Sequence, residues 1–298
     1  MARVGEQAAA PLRSSLPVRV WRSVRSASVR EPTMTVGLFI LAVLVLISLV
    51  GPVLSSADPS KINMDARLQA PSATHWFGAD EFGRDVFSRT ILGGRISLFV
   101  GATVALLTMI LGAAFGSVAG YFRPVDAVLM RIMDGLMAIP TVLLAIALTV
   151  ILGANLQNVI IAIVVVDTPR MTRVARASVL SLREQPFVDA ARAIGAQNSR
   201  ILIRHVIPNL LAPLIVMGTY VAAGAMLTEA YLSFLGAGIP ADEIPSWGNI
   251  MAEGRRFIRK AIWVIFYPGL VLAVAVTAIN LAGDGLRDIL DPKLAHRM

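Results

Sequence analysis

The sequence predicts an all-α protein that crosses a membrane several times. Hydrophobic residues make up 56% of the 298 and charged residues only 15%. The mean hydropathy is +0.71, and the apolar residues gather in long uncharged runs. A soluble domain carries about 25% charged residues, so neither a soluble globule nor a disordered tail fits. The chain has no Cys, which excludes disulfide scaffolds, thiol chemistry and Cys-ligated zinc or iron-sulfur sites.

Each span follows from length. A bilayer core of about 30 Å takes roughly 20 apolar residues per helix, and the uncharged runs 34–54, 96–122, 206–228 and 261–283 meet that requirement. The uncharged stretch 135–166 has 32 residues, too many for one helix and too few for two, and Gly153, Ala154 and Asn155 punctuate its middle. A third helix is therefore expected from near Arg131, and a fourth running past Asp167 toward Arg176. The total expected is six. The first run follows six Arg in residues 1–33, as in a secretory signal, but signal cores are about 7–15 residues and this one has 21. A retained first helix is expected. Trp21 and Trp263 fall near the expected interfaces, where amphipathic rings favour the headgroup region.

Orientation follows from basic residues, since short loops rich in Lys and Arg stay in the cytoplasm. With the N-terminus inside, the cytoplasmic segments 1–33, 123–131, 167–205 and 284–298 hold 6, 2, 7 and 3 basic residues. The outer segments 55–95 and 237–260 hold 5 and 4, and the turn near Asn155 holds none. The bias places both termini in the cytoplasm. The chain then divides into a basic segment 1–33, a six-span domain 34–283 with an outer loop at 55–95 and a cytoplasmic loop at 177–205, and a tail 284–298.

Several chemistries are missing. Lys61, Lys260 and Lys293 follow Ser, Arg and Pro, so no Gly-Lys dipeptide exists and no phosphate-cradling P-loop with its Lys is present. His75, His205 and His296 are scattered and none opens a His-Glu-x-x-His zinc site. No Gly-x-Ser-x-Gly elbow occurs. An intramembrane hydrolase built from scattered Ser and Asp residues is the enzyme alternative.

The residues with most to say lie in the loops. The cytoplasmic loop contains Asp189-Ala190-Ala191-Arg192-Ala193-Ile194-Gly195, then Ile203-Arg204-His205-Val206-Ile207-Pro208-Asn209. This spells a short helix, a turn at Gly195 with access to positive φ, a second short helix, and a membrane helix whose first turn takes Pro208. Small Ala residues admit another protein's surface; an ordinary basic loop at the headgroups is the plainer reading. Arg170, Arg173 and Arg176 recur along one side of the fourth helix, facing lipid phosphate or a partner. Glu229 lies in or at the outer end of the fifth span, where an ionised side chain costs several kcal/mol unless partnered or wet. It is either the wall of a pathway or a structural partner of an outer-loop Arg such as Arg84 or Arg95. Gly112, Gly116 and Gly120 repeat every fourth residue, the spacing for close helix approach, either inside the chain or at a dimer seam. The outer loop balances five basic against five acidic residues around Gly83, Arg84 and Asp85. It is either a cap over the outer mouth that touches partner proteins or a passive connector.

The cytoplasmic segment resembles the coupling loop of ATP-binding-cassette (ABC) importer permeases, with Asp189 where that family has Glu and Ile207 where it has Leu. His75 to Arg89, Leu232-Ser233-Phe234-Leu235-Gly236, Pro245-Ser246-Trp247-Gly248 and Gly283-Asp284-Gly285-Leu286-Arg287-Asp288 resemble one branch: the second, C-type permease subunit of dipeptide, oligopeptide and nickel importers. The match extends over residues 34–293. The resemblance implies a type I ABC permease fold in a bacterial cytoplasmic membrane, with no catalytic residues and no cofactor in this chain. It also implies docking of a cytoplasmic ATPase on Asp189, Ala190, Ala191 and Gly195, with Arg192, Arg204 and Pro208 in the same loop. The implied partners are a homologous B-type permease, two ATP-binding subunits that bind ATP and Mg, and an extracytoplasmic solute-binding protein. Membrane lipid surrounds the chain and nucleic acid has no part. Di- or oligopeptides are the implied cargo, with nickel, heme or another small solute as alternatives. A self-sufficient secondary carrier is the rival class, which needs more spans or internal repeats and coupling charges near midplane.

Overall fold

The computed structural model describes residues 32–54, 59–240 and 244–290. Trp21, His296 and most of the basic N-terminal segment lie outside these. The described residues hold no strands, and one antiparallel bridge joins Ala79 to Asp85. The long helices are α1 (Pro32–Leu54), α2 (Val86–Tyr121), α3 (Arg123–Met137), α4 (Thr141–Leu152) and α5 (Leu156–Leu182). After α5 come two short helices, α6 (Pro186–Ala193) and α7 (Asn198–Ile201), and a π turn at Leu202–Val206. The chain closes with α8 (Ile207–Phe234), α9 (Trp247–Gly254) and α10 (Trp263–Leu290).

Four helical stretches, Pro32–Gly51, Val86–Tyr121, Asn198–Phe234 and Trp263–Leu290, are long and apolar enough to cross a membrane. The expected third span departs from a single rod. Pro140 interrupts it and divides it into α3 and α4, which meet at 91° and make a fifth crossing if taken as one broken span. The expected fourth span falls on α5, whose Asp167, Arg170, Arg173 and Arg176 keep it outside that class. Six crossings are therefore not reached by length and composition; four or five are. Charge explains the difference, since α5 spends its second half making ion pairs rather than facing hydrocarbon.

The helices also outrun the apolar runs. A 36-residue α2 is about 54 Å long at 1.5 Å per residue, and it begins ten residues before the uncharged run, at the Asp85 N-cap. Two ends result: a cap end, holding residues 59–85, α9 and the start of α10, and an opposite end holding α6 and α7.

Close approach of backbones builds the core. Gly112, Gly116 and Gly120 lie against Met171, Ala175 and Val179 of α5, where an added Cβ at Gly116 would sit 2.4 Å from Ala175 Cβ and 2.7 Å from Thr172 O. The glycine stripe is an internal seam. Around it, Val104, Ile163, Leu210 and Val221 form the main apolar cluster, which continues into Val188, Ile201 and Val206 of the loop region. Helix α1 packs on α10 through Gly37, whose added Cβ would sit 2.6 Å from Ala278 O. Pro52 has no N–H, so the Ser48 carbonyl four residues earlier loses its helical donor. Arg95 of α2 supplies the substitute, donating from Nε to Ser48 O at 2.8 Å and from Nη2 to Leu49 O at 2.6 Å.

Gly116→Leu is expected to lower the thermal stability of the detergent-purified chain by the about 1–3 kcal/mol or more of an overpacked core. Gly224→Leu, at a position with open space, is expected to change it little. Equal melting temperatures for the two variants would show that the seam is not close-packed.

Candidate functional site

Helix α6 opens with Pro186 in its first turn, where a missing N–H costs nothing. Val188 and Ala191 point inward, so the segment is anchored rather than draped. Gly195 ends it with φ +83°, a conformation closed to most L-residues, and nothing lies within 4 Å of the place its Cβ would take. Helix α7 and the π turn follow, with Ile201, Leu202 and Val206 buried. Pro208 then sits in the first turn of α8. Tyr121 Oη bonds Asn198 Oδ1 at 3.0 Å and Arg183 Nη1 donates to Gly120 O at 3.1 Å, tying this end to the end of α2.

The outward face is partly apolar. Ile194 is 86% exposed, Ile203 67% and Phe187 41%. Ala190, Arg192 and Arg204 are exposed among them, and Asp189 pairs with Arg192 at 3.2 Å. Sequence reasoning named Asp189, Ala190, Arg192 and Arg204 on this surface and gave no role to Phe187, Ile194 and Ile203.

Arg173 and Arg176 turn inward toward α3. Arg173 Nη2 donates to Asp134 at 2.6 Å, and Arg176 binds both oxygens of Asp126 at 2.5 and 2.6 Å. Helix α3 thus presents a carboxylate to each arginine, and Arg173, with its side chain 47% exposed, also faces outward. At the same end Tyr220 Oη bonds Asp284 Oδ1. The glycines flanking Asp284 explain its place: a Cβ at Gly283 would meet Thr219 Oγ1 of α8 at 2.1 Å, and one at Gly285 would meet Met34 Cβ of α1 at 2.4 Å. Helix α10 thus lies flush between α8 and α1, with Asp284 within reach of Tyr220.

Glu229 is fully buried. Its Oε1 accepts from Ser233 Oγ and Ser246 Oγ, both at 2.8 Å. Arg84 and Arg95 bind elsewhere, so the partners are hydroxyls and not a guanidinium. Ser246 also N-caps α9 in a capping box: its Oγ accepts from Asn249 N, and Asn249 Oδ1 accepts from Ser246 N. Trp247 N donates to Ser97 Oγ of α2 at 3.1 Å, and Ser97 stands beside the same carboxylate. The second oxygen, Oε2, takes no hydrogen bond of good geometry among the described residues. A Cβ at Gly248 would sit 2.7 Å from Ala230 Cα, so α8 and α9 touch backbone to backbone here. Ser233, four residues after Glu229 on one helix face, was legible as a partner; Ser246 and Ser97 come from other elements and were not.

The cap is ordered by a buried network of four charges. Asp80 accepts from Phe82 N and Arg84 N, and its Oδ2 takes Arg84 Nε and Arg89 Nη1, both at 2.7 Å. Arg84 Nη2 reaches both oxygens of Glu253 on α9 at 2.9 Å, and Arg89 Nη2 reaches Glu253 at 3.0 Å. Burial works against the Arg84 charge, but the carboxylates of Glu253 and Asp80 outweigh it and hold the guanidinium above its ordinary pKa. Asp85 caps α2 by accepting from Ser88 N and Oγ at 2.8 and 2.7 Å, and its other oxygen meets His75 Nδ1 at 3.0 Å. Gly83 has φ +69°, and a Cβ there would lie 1.7 Å from Asn63 O. Phe77 stacks on Tyr267 with centroids 4.2 Å apart, and Trp263 Nε1 donates to Ala79 O at 3.2 Å. These contacts hold residues 77–85, while most of residues 60–76 face outward. Asp80, Arg89 and Glu253 complete what the Gly-Arg-Asp core began. Among the described residues no group of three His, Asp or Glu could hold a metal ion.

The family described as binding-protein-dependent transport system inner membrane component matches residues 112–296. The N-terminal transmembrane domain of oligopeptide transport permease C matches residues 20–71. A putative peptide transport system permease protein of Brucella suis is 46% identical over 265 residues, covering 89% of each chain. The dipeptide transport system permease protein DppC of Alkalihalophilus pseudofirmus is 43% identical, over 93% of this chain and 91% of the relative. The oligopeptide transport system permease protein OppC of Bacillus subtilis is 39% identical over 87% and 85%. Among solved structures, one of inward-facing MetNI methionine ABC transporter superposes with a TM-score of 0.55 at 21% identity, over 67% of this chain and 94% of that one.

Two outcomes follow from the cap and the Glu229 junction. Asp80→Asn turns an acceptor into an amide donor facing two guanidinium groups and is expected to cost about 3–5 kcal/mol, the range for breaking a buried pair. Asp134→Asn, at an exposed pair, is expected to cost less than about 1 kcal/mol. Thermal unfolding of the purified chain compares them, and equal losses would refute the network's role. Glu229→Gln keeps an acceptor for Ser233 and Ser246 and is expected to melt near the parent. Glu229→Leu strands two buried hydroxyls and is expected to lose about 1–3 kcal/mol; a Leu variant as stable as the Gln one would rule out the serine contacts as a structural link.

Proposed function

We propose that this chain, which belongs to the binding-protein-dependent transport system inner membrane component family, forms one half of the pathway by which an ABC importer carries di- or oligopeptides across the cytoplasmic membrane. The names of its relatives support the cargo: a dipeptide permease at 43% identity and an oligopeptide permease at 39%. Its partners in this reading are a homologous permease, two ATP-binding subunits that supply ATP hydrolysis with Mg, and an extracytoplasmic solute-binding protein. Both termini and the α6–α7 loop lie in the cytoplasm, as the basic residues favour.

The observation that carries the proposal is the α6–α7 surface. Ile194, Ile203 and Phe187 stand out from a segment that is itself anchored by Val188, Ala191 and Ile201. A rigid knob with an apolar tip suits a preformed cleft on a cytoplasmic ATPase. Asp189, Ala190 and Ala191 form the first helix of that knob, Gly195 its turn, and Arg192 and Arg204 its polar rim. Pro208 starts α8 immediately after, so displacement of the knob passes into a 28-residue helix as a rigid-body shift. Tyr220 and Asp284 carry the shift on to α10.

Ile194→Asp is expected to reduce peptide uptake by the assembled transporter at least tenfold while leaving membrane insertion and stability unchanged, because the side chain touches little of its own chain. Gly195→Pro, which φ +83° forbids, is expected to distort this turn and abolish uptake while leaving the chain inserted in the membrane. A protease site placed near Gln197 is expected to be protected in sealed right-side-out vesicles. Normal uptake in both variants, or cleavage at Gln197 from outside, would sink the assignment. Uptake driven by protons or sodium in liposomes holding this chain alone would favour a secondary carrier.

A further inference from the structure

We propose that the polar cavity at the cap end is a substrate subsite that grips a short zwitterionic peptide by its two charged ends, the amine at Glu81 and the carboxylate at Arg256. This rests on the reading of the chain as a peptide permease and assigns one place on the route.

The cavity has a volume of about 340 Å³ and lies between the end of α8, the outer face of α9 and Glu81, with Ala154 of the α4–α5 turn on its rim. Sites for small molecules run from about 300 to 1,000 Å³. A box of the observed volume is about 7 Å on a side, the length of an extended dipeptide at about 3.5 Å per residue. Two larger cavities of the bundle, of about 470 and 400 Å³, are lined mainly by aliphatic side chains and suit lipid or apolar packing better than a charged solute.

Most polar groups around this cavity are already occupied. Glu253 is bound by Arg84 and Arg89. Arg255 donates to Phe234 O at 3.0 Å and lies over the Phe234 ring. Ser233 donates to Glu229, and Asn249 serves the α9 cap and donates to Ile244 O. Glu81 and Arg256 remain, and among the described residues neither forms an ion pair or hydrogen bond. One free carboxylate and one free guanidinium on one cavity are complementary to a ligand with the same two charges in reverse. A ligand with a single charge leaves one wall group unanswered. An ammonium end meets Glu81, and a carboxylate end meets the planar fork of Arg256, which binds carboxylates with two parallel hydrogen bonds.

The backbone that carries each group is tied to the buried network. Glu81 follows Asp80 of the buried network, and Arg256 follows the helix that Glu253 anchors to that network. Side-chain variation among peptides is left outside the grip, so the subsite accepts many sequences and rejects blocked ends.

The test uses the whole transporter with its copurifying subunits and solute-binding protein in proteoliposomes, carrying a photoreactive amino acid in place of Ala252 on the cavity wall. The probe is radiolabelled alanyl-alanine. Labelling of this chain is expected to be competed by unlabelled alanyl-alanine but not by its N-acetylated, C-amidated form. Glu81→Gln and Arg256→Gln are each expected to cut labelling about tenfold, the size of one lost charge-assisted contact, with assembly and melting temperature unchanged. Undiminished labelling in both variants would overturn the subsite. So would crosslinking of position 252 to the binding protein alone, which would make the cavity a docking surface. Uptake of alanyl-alanine with undiminished labelling defeats only the subsite; no uptake of alanyl-alanine or of a longer alanine peptide by the unsubstituted transporter defeats the peptide reading and the subsite with it.

Discussion

The interaction on which the rest of this structure depends is the buried quartet of Asp80, Arg84, Arg89 and Glu253. Charges removed from water cost several kcal/mol each unless their partners are near and well aimed, and here two carboxylates meet two guanidinium groups with no charge left over. The quartet joins three pieces of chain distant in sequence: the loop before α2, the first turn of α2 and the last turn of α9. Once α9 is fixed, Ser246 is held over Glu229 and Trp247 is seated on Ser97 and Thr90. The junction of α2, α8 and α9 is thus built by polar groups, in a protein whose helices otherwise meet through glycine and aliphatic contacts.

Helix α8 links that junction to the other end. It begins one residue after the π turn that closes the α6–α7 segment and reaches Glu229 six turns later. A helix of 28 residues is about 42 Å long, so one continuous element joins the α6–α7 segment to the serines of the cap. Tyr220, midway, bonds α10. The opposite faces of these helices remain apolar and exposed, as expected for surfaces that lipid or a sister subunit covers.

Much of this was legible in the sequence, for physical reasons particular to each feature. Uncharged runs of 20 residues announce spans because hydrocarbon tolerates little else, and four of them became helices. Gly195 and Pro208 announced a turn and a helix start because their backbones permit few alternatives, and both fell where expected. The glycine stripe announced close approach, though its partner on α5 came only with the structure. Pairing between distant elements was not legible. Glu229 advertised a need for a partner without naming it, and an Arg was the natural supposition until Ser246 arrived from α9. Arg173 and Arg176 looked free because their partners Asp134 and Asp126 sit on another helix, 39 and 50 residues away in sequence. The apolar tip formed by Ile194 and Ile203 was hidden because hydrophobic residues near membrane spans attract no notice, and only exposure distinguishes them.

The contact between Arg95 and α1 has a consequence for how the chain is made. The Ser48 carbonyl is orphaned by Pro52, and its substitute donor lies 47 residues downstream. A first helix emerging from the ribosome and moving sideways into lipid carries that bare carbonyl with it, at a cost that hydrocarbon exacts in full. It is relieved only when the head of α2 arrives beside it. In hydrogen-bonding terms the first two helices are therefore complete only as a pair.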